Sequence, residues 1–173
     1  MKAVPRPAQD TARIEIRKAP SGFDRWPEVH GLLMTSFAYM QGRIDPPSSM
    51  NRLTLSGLIA KSEVETALLA WRGEDLVGCA FCDARADCLY VGKVAVSDSA
   101  RGAGIARALM THAEDLARDR GLPFLELQTR VELVENHETF RRLGFVKTGE
   151  DAHEGYDRPT SIRMRKPVQP RAK

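Results

Sequence analysis

Arg101-Gly102-Ala103-Gly104-Ile105-Ala106 concentrates the residue types that can cradle a phosphate. Two glycines and two alanines keep side chains out of the turn. A strand-like run, Leu89 to Val96, precedes it, and a strongly periodic helix, Ile105 to Arg120, follows. Backbone N–H groups at such a helix start converge on an anion, and the helix dipole favours its charge. A Walker loop, G-x-x-x-x-G-K-[ST], fits nowhere in the chain. Gly102 and Gly104 meet the first half of the dinucleotide fingerprint G-x-G-x-x-[GA], but Arg107 occupies its third small position. Residues Ser97 to Arg101 also separate strand from glycine, where that fingerprint follows its strand directly. The pyrophosphate spacing [RQ]-x-x-G-x-[GA] is filled at all its positions by Arg101, Gly104 and Ala106. The plain alternative is a Gly-rich turn with no ligand.

A second segment runs Asn136-His137-Glu138-Thr139-Phe140-Arg141-Arg142-Leu143-Gly144-Phe145. Asn136 reads as an N-cap, Phe140 and Leu143 as an apolar stripe, and Gly144 as the residue just past a helix end. In these two segments the chain resembles the GNAT superfamily of acetyl-CoA-dependent N-acyltransferases. The resemblance covers roughly residues 76–168; residues 1–60 match only in the order of their elements. It implies one α/β (α+β) domain with a mixed sheet of six or seven strands and about four helices. It implies acetyl-CoA as cofactor, lying between two splayed parallel strands, and CoA as product. Backbone groups of Val94, Ala95 and Val96 would pair with the pantetheine arm. Arg101, Gly102, Ala103, Gly104, Ile105, Ala106 and Arg107 would hold the pyrophosphate. Asn136 would touch the pantetheine or the backbone beside it, with Phe140 next to the thiol. Arg142, with Arg141 beside it, would face the adenosine end. A solvated helix face is the competing reading for these arginines.

Acyl transfer to an amine sets further demands. A lysine-type amine arrives protonated, with a pKa of about 10, so a base or water chain must take a proton. Attack on the thioester makes an oxyanion, for which backbone N–H groups near Val94–Val96 are candidate donors. The tyrosine that usually protonates the leaving thiolate falls at Phe140, which has no proton to give. Tyr156, in the stretch 153–158, is a candidate replacement, or a surface aromatic. The carboxylate often found shortly before the phosphate loop is also missing; Gly92 and Lys93 occupy that region.

Glu126 is the alternative base. Alternation along 125–130 sends Glu126, Gln128 and Arg130 to one face, although a central strand should be apolar on both. Either that face lines an acceptor pocket, or Glu126 pairs with a cation such as Lys93 on the neighbouring strand. His137 and His153 are further base candidates, or exposed histidines. Tyr39, Arg43 and Asp45 flank or lie in the 41–50 loop, between the first two helices, which the resemblance implies line the acceptor cleft, and could recognise a small polar amine. A peptide or protein amine remains open. The function expected is N-acetyl transfer from acetyl-CoA to an amine by direct attack in a ternary complex. The alternatives are an acyl-CoA-binding sensor with little or no catalysis, motivated by Phe140 and the missing carboxylate, and another kind of nucleotide-binding module.

The elements that must position these residues follow from periodicity. The chain reads as a strand over 11–18, helices over 24–39 and 54–61, and strands over 65–72, 76–83 and 89–96. A helix over 105–120, ended by Gly121 and Pro123, leads to a strand over 123–131, the Asn136 helix and a closing pair over 144–149 and 160–166. A single domain over 11–168 is expected, with flexible ends at 1–10 and 169–173. At 173 residues, with 42% apolar and 28% charged residues, the chain can bury a sizeable core. Its net charge of +3 suits a polyanionic cofactor and is too weak to argue for nucleic acid. No apolar run is long enough to span a membrane, and the first ten residues lack a signal-peptide core. Cys79, Cys82 and Cys88 are odd in number, which points to a reducing, cytoplasmic setting. Cys79 and Cys82 spell C-x-x-C, but residues three apart on a strand face opposite ways, so no metal is expected. A homodimer is left open.

Overall fold

The computed structural model describes residues 13–171. The expected arm at 1–10 and the last two residues lie outside that range. In chain order the elements are β1 (Ile14–Lys18), α1 (Trp26–Phe37), α2 (Leu55–Val64), β2 (Thr66–Arg72), β3 (Asp75–Ala84), β4 (Cys88–Val96), α3 (Ile105–Asp119), β5 (Phe124–Arg130), α4 (Val134–Arg142), β6 (Val146–Asp151) and β7 (Ser161–Pro167). Short 3-10 turns lie at Ala38–Met40, Ser49–Arg52 and Asp98–Ala100.

Local chemistry explains the helices. α1 opens with a proline in its first turn and buries Trp26, Val29 and Leu33 at helical spacing. The Thr54 hydroxyl caps α2 by accepting from the Gly57 amide at 3.0 Å. α3 buries Ile105, Leu109, Met110, Ala113, Leu116 and Ala117 on one face, and Gly121 follows its end at φ 68°. α4 begins two residues before Asn136, with Leu133 as the residue ahead of it. Asn136 is therefore inside the helix and is not its cap, contrary to the sequence expectation. Gly144 does follow its end, at φ 100°.

The strands form one sheet of seven in the order β1-β2-β3-β4-β5-β7-β6. Every neighbouring pair is antiparallel except β4 and β5. α3 is the crossover that makes those two parallel. It packs on one face with Leu68, Leu89, Leu125, Leu127 and Met164. On the other face α1 and α2 cover Leu69, Trp71, Cys79 and Phe81. Cys82 belongs to the first core and Cys79 to the second, so the C-x-x-C pair does face opposite ways.

Two features open the middle of this sheet. β4 and β5 pair only at Cys88↔Phe124, Leu89↔Leu125 and Tyr90↔Glu126, and then diverge. Opposite β3, β4 also carries a bulge between the pairs Cys79↔Ala95 and Phe81↔Gly92. Lys93 and Val94 there face the single residue Ala80, and Lys93 takes φ 50°. The bulge bends β4 away just where β5 has let go.

Candidate functional site

The gap between β4 and β5 is the floor of a cleft of about 1100 Å³. At one end lies the glycine loop. Gly102 and Gly104 stand at φ 81° and 76°, and Gly104 is the residue from which α3 starts. No side chain caps this helix, so its first N–H groups have no internal partner. A Cβ on either glycine would meet nothing within 4 Å, so the loop faces open space. Gly78 on β3 seats it from behind: a Cβ there would come within 2.8 Å of Ile105, the first residue of α3. Arg101 is held at 2.8 Å by Asp98, and the Arg107 guanidinium reaches the Arg142 carbonyl at 3.5 Å.

Most of the residues named from sequence meet in this cleft. Val94, Ala95, Val96, Arg101, Gly102, Gly104, Ile105, Ala106, Arg107, Asn136, Phe140, Arg142 and Tyr39 line it, whereas Ala103 is outside the lining. Asn136 donates to the Tyr39 hydroxyl at 3.0 Å across the opening. Phe140 stacks edge-on against Phe145, with ring centroids 6.1 Å apart.

Glu126, Tyr156, Arg43 and Asp45 are not among the cleft-lining residues. Glu126 is buried and accepts from Arg165 at 2.7 Å, with Arg85 at 3.8 Å. The pair anticipated with Lys93 does not form. Glu126 sits opposite Tyr90, three residues before Lys93 along β4, about 10 Å at the usual strand rise. The polar face of β5 is divided: Gln128 and Arg130 line the cleft, whereas Glu126 lies outside it among ion pairs. Arg163 and Arg165 on β7 meet Asp151, Glu126 and Asp87 there.

Tyr156 donates to Asp45 at 2.6 Å, and Arg158 reaches the other oxygen of that carboxylate at 3.0 Å. Donation to Asp45 holds the Tyr156 phenol above its ordinary pKa. Arg43 pairs with Glu135 at 2.6 Å, and Arg130 donates to the Pro46 carbonyl. Together with Asn136–Tyr39, these contacts tie the segment between α1 and α2 to the opposite wall. It forms a strap across one end of the cleft.

His153 lines the cleft at this end. Its Nε2 faces the Arg130 guanidinium at 3.3 Å, and its Nδ1 bonds the Thr160 hydroxyl. Arginine has no lone pair to offer, so Nε2 must accept and Nδ1 must carry the proton. The Thr160 hydroxyl in turn donates to the Asp151 carbonyl at 3.3 Å. His153 is exposed, yet partial desolvation and the Arg130 charge lower its pKa, against a smaller opposite pull from Glu132. Both Glu132 carboxylate oxygens and Arg130 Nε are buried without a hydrogen-bond partner. His137 is used differently: its Nε2 bonds the Arg130 carbonyl at 2.9 Å and ties α4 to β5. The role of Thr160 was not visible in sequence, because its contact spans a loop of undetermined shape.

A sequence profile of the Acetyltransferase (GNAT) family matches residues 26–145. The IAA acetyltransferase of Azospirillum brasilense is 33% identical over 124 residues, 70% of this chain and 80% of that protein. The streptothricin acetyltransferase of Streptomyces lavendulae is 42% identical over 65 residues, 37% of this chain and 34% of that protein. Among solved structures, the PaiA N-acetyltransferase of Thermoplasma acidophilum in complex with coenzyme A superposes with a TM-score of 0.73 at 15% identity. That alignment covers 90% of this chain and 99% of the other. No helix among the described residues is long and apolar enough to cross a membrane.

Proposed function

The chain belongs to the Acetyltransferase (GNAT) family and is an acyltransferase enzyme, and from that premise we propose that it moves the acetyl group of acetyl-CoA to a small-molecule amine. Transfer proceeds by direct attack in a ternary complex. One observation carries the reading: a single cleft joins an uncapped, glycine-lined helix start to the gap between β4 and β5 and to His153. The pyrophosphate sits on the first amides of α3, helped by the dipole and by Arg101 and Arg107. The pantetheine arm runs between β4 and β5, against the backbone of Val94, Ala95 and Val96. Asn136 contacts the arm, Phe140 packs beside the sulfur, and Arg142 faces the adenosine end.

His153 serves as the proton acceptor in this reading, in place of Glu126, whose carboxylate is engaged by Arg165 and Arg85. Thr160 fixes the tautomer that leaves Nε2 unprotonated, and the lowered pKa keeps the ring neutral near pH 7. The incoming ammonium, or a water beside it, gives its proton to Nε2 as it displaces the 3.3 Å contact with Arg130. The amine attacks the thioester carbon, backbone N–H groups of the bulged strand hold the oxyanion, and the second amine proton passes to water as the C–S bond breaks. The thiolate leaves without a phenol, since thiols ionise near pH 8.5. Tyr156 then keeps the strap closed through Asp45 and transfers no proton.

The small-molecule acceptor is favoured by the strap. Contacts from Tyr39, Arg43, Asp45 and Pro46 narrow the acceptor end, which suits a compact amine better than a polypeptide surface. Streptothricin itself is a reasonable first acceptor, given the 42% identity over 65 residues. The test is a thiol-release screen with acetyl-CoA against streptothricin, polyamines, amino acids, aminoglycosides and peptides. Release that depends on a small amine supports the proposal. Release with peptides alone overturns the acceptor class. Binding of acetyl-CoA without release by any acceptor favours the sensor.

A further inference from the structure

Lys93 is a nucleophile that the transfer reaction leaves unused. It occupies the β4 bulge at φ 50°, directly before the Val94–Val96 run. Its side chain reaches the strap segment, where Nζ lies 3.5 Å from the Met50 sulfur. Lys93 and Met50 both line the cleft. A thioether is a weak acceptor for an ammonium ion. Two charges that act on Lys93, Lys61 in α2 and Glu65 just past its end, bond each other. Among the described residues no carboxylate forms an ion pair with Lys93. Half-burial and the charge of Lys61 push its amine below the ordinary lysine value. Such an amine spends more time neutral, and a neutral amine is a nucleophile.

We infer that Lys93 is a self-acylation site, whose amine takes the acetyl group from the thioester bound in the same cleft. This rests on the reading of the cleft as an acetyl-CoA site. The Lys93 nitrogen, after losing a proton to solvent, attacks the thioester carbonyl carbon. The new C–N bond forms as the C–S bond breaks. CoA leaves as the thiolate, and the second amine proton is lost as the amide forms. No oxidant or further reactant is needed. The product amide is not an acyl donor, so the step does not lead on to the acceptor. It removes a positive charge from the cleft and is expected when amine acceptor is scarce. Holding amine and thioester together supplies the acceleration that surface lysines lack.

The full chain is incubated with acetyl-CoA and no acceptor, and acetyl occupancy at each lysine is followed by peptide mass spectrometry. Calorimetry on the same preparation measures acetyl-CoA binding. Lys93 is expected to gain acetyl at least ~tenfold faster than the exposed Lys147, a difference that proximity predicts and urea should erase. Lys93→Arg should remove that signal. Gly104→Val should remove it too, although Lys93 is still present. Equal rates at Lys93 and Lys147, or an unmodified Lys93 in protein that binds acetyl-CoA, overturns the inference and leaves the cofactor reading standing. Absence of acetyl-CoA binding overturns both.

Discussion

Gly104 carries two jobs that one substitution separates. At φ 76° it holds a backbone conformation that a β-branched residue adopts at a cost of about 1–3 kcal/mol. A Cβ would strike nothing in the protein, so packing is untouched. On the proposed reading, the new side chain would instead stand where the pyrophosphate approaches. Gly104→Val should therefore melt a little lower yet lose acetyl-CoA binding by calorimetry; a folded variant with unchanged affinity would reduce the loop to a turn. Glu126 should behave in the opposite way. Its carboxylate sits buried between Arg165 and Arg85, so Glu126→Gln should cost about 1–3 kcal/mol of stability. Turnover per folded molecule should stay near that of the parent chain. Melting and kcat measured on one preparation decide this, and a large kcat loss without destabilisation would return Glu126 to the chemistry. For His153 the sign follows from its lowered pKa. As a base it works only when neutral, so the acid limb of kcat/KM should fall with a midpoint below the ordinary imidazole value of about 6.5. His153→Gln should remove that limb and lower kcat by roughly 10²–10⁴-fold, with CoA affinity unchanged.

Among the elements, the seating of α3 on β3 controls the glycine loop proposed to hold the pyrophosphate. The close approach of Gly78 to Ile105 and to the Ala95 carbonyl leaves no room for a methyl group. Gly78→Ala should push the first turn of α3 outward and weaken acetyl-CoA binding, with little effect on the far end of the helix. Hydrogen exchange along α3 would locate the disturbance; uniform loosening would mean that the whole helix had lost its seat. This contact also marks the limit of what the sequence revealed. The loop was legible because glycine spacing at a helix start is local chemistry, and the helix and strand order followed from periodicity. Gly78 was not legible, because its need for smallness comes from an element that follows a further strand. Asn136 misled as a cap because Val134 and Glu135 extend the helix backward. Glu126 was read on the correct face of β5, yet its partner lies on β7, thirty-nine residues later in the chain. The base proposed here was visible only as one of two spare histidines, because Thr160 and Arg130 reach it from either side.

At the scale of the molecule, the sheet is two sheets joined at a narrow seam. β1, β2, β3 and β4 form one part, and β5, β7 and β6 the other. Three residue pairs, the crossover helix, the ion pairs of Asp87 with Arg165 and of Arg85 with Glu126, and the strap hold them together. Beyond Tyr90 and Glu126, each part presents an internal rim of strand backbone to the cleft. A sheet ordinarily has two edges to protect from other chains, and natural proteins blunt such edges with charge, bulges or covering loops. This one has four whenever the seam lacks an occupant. The Lys93 bulge and the strap over the opening then act as safeguards against wrong pairing as well as parts of the proposed binding site. Protein stripped of acetyl-CoA should accordingly scatter more light on warming than the loaded form, well below its melting point. Loosening the strap with Asp45→Asn should widen that difference, and scattering that ignores both ligand and strap would show the rims to be guarded by β4 alone.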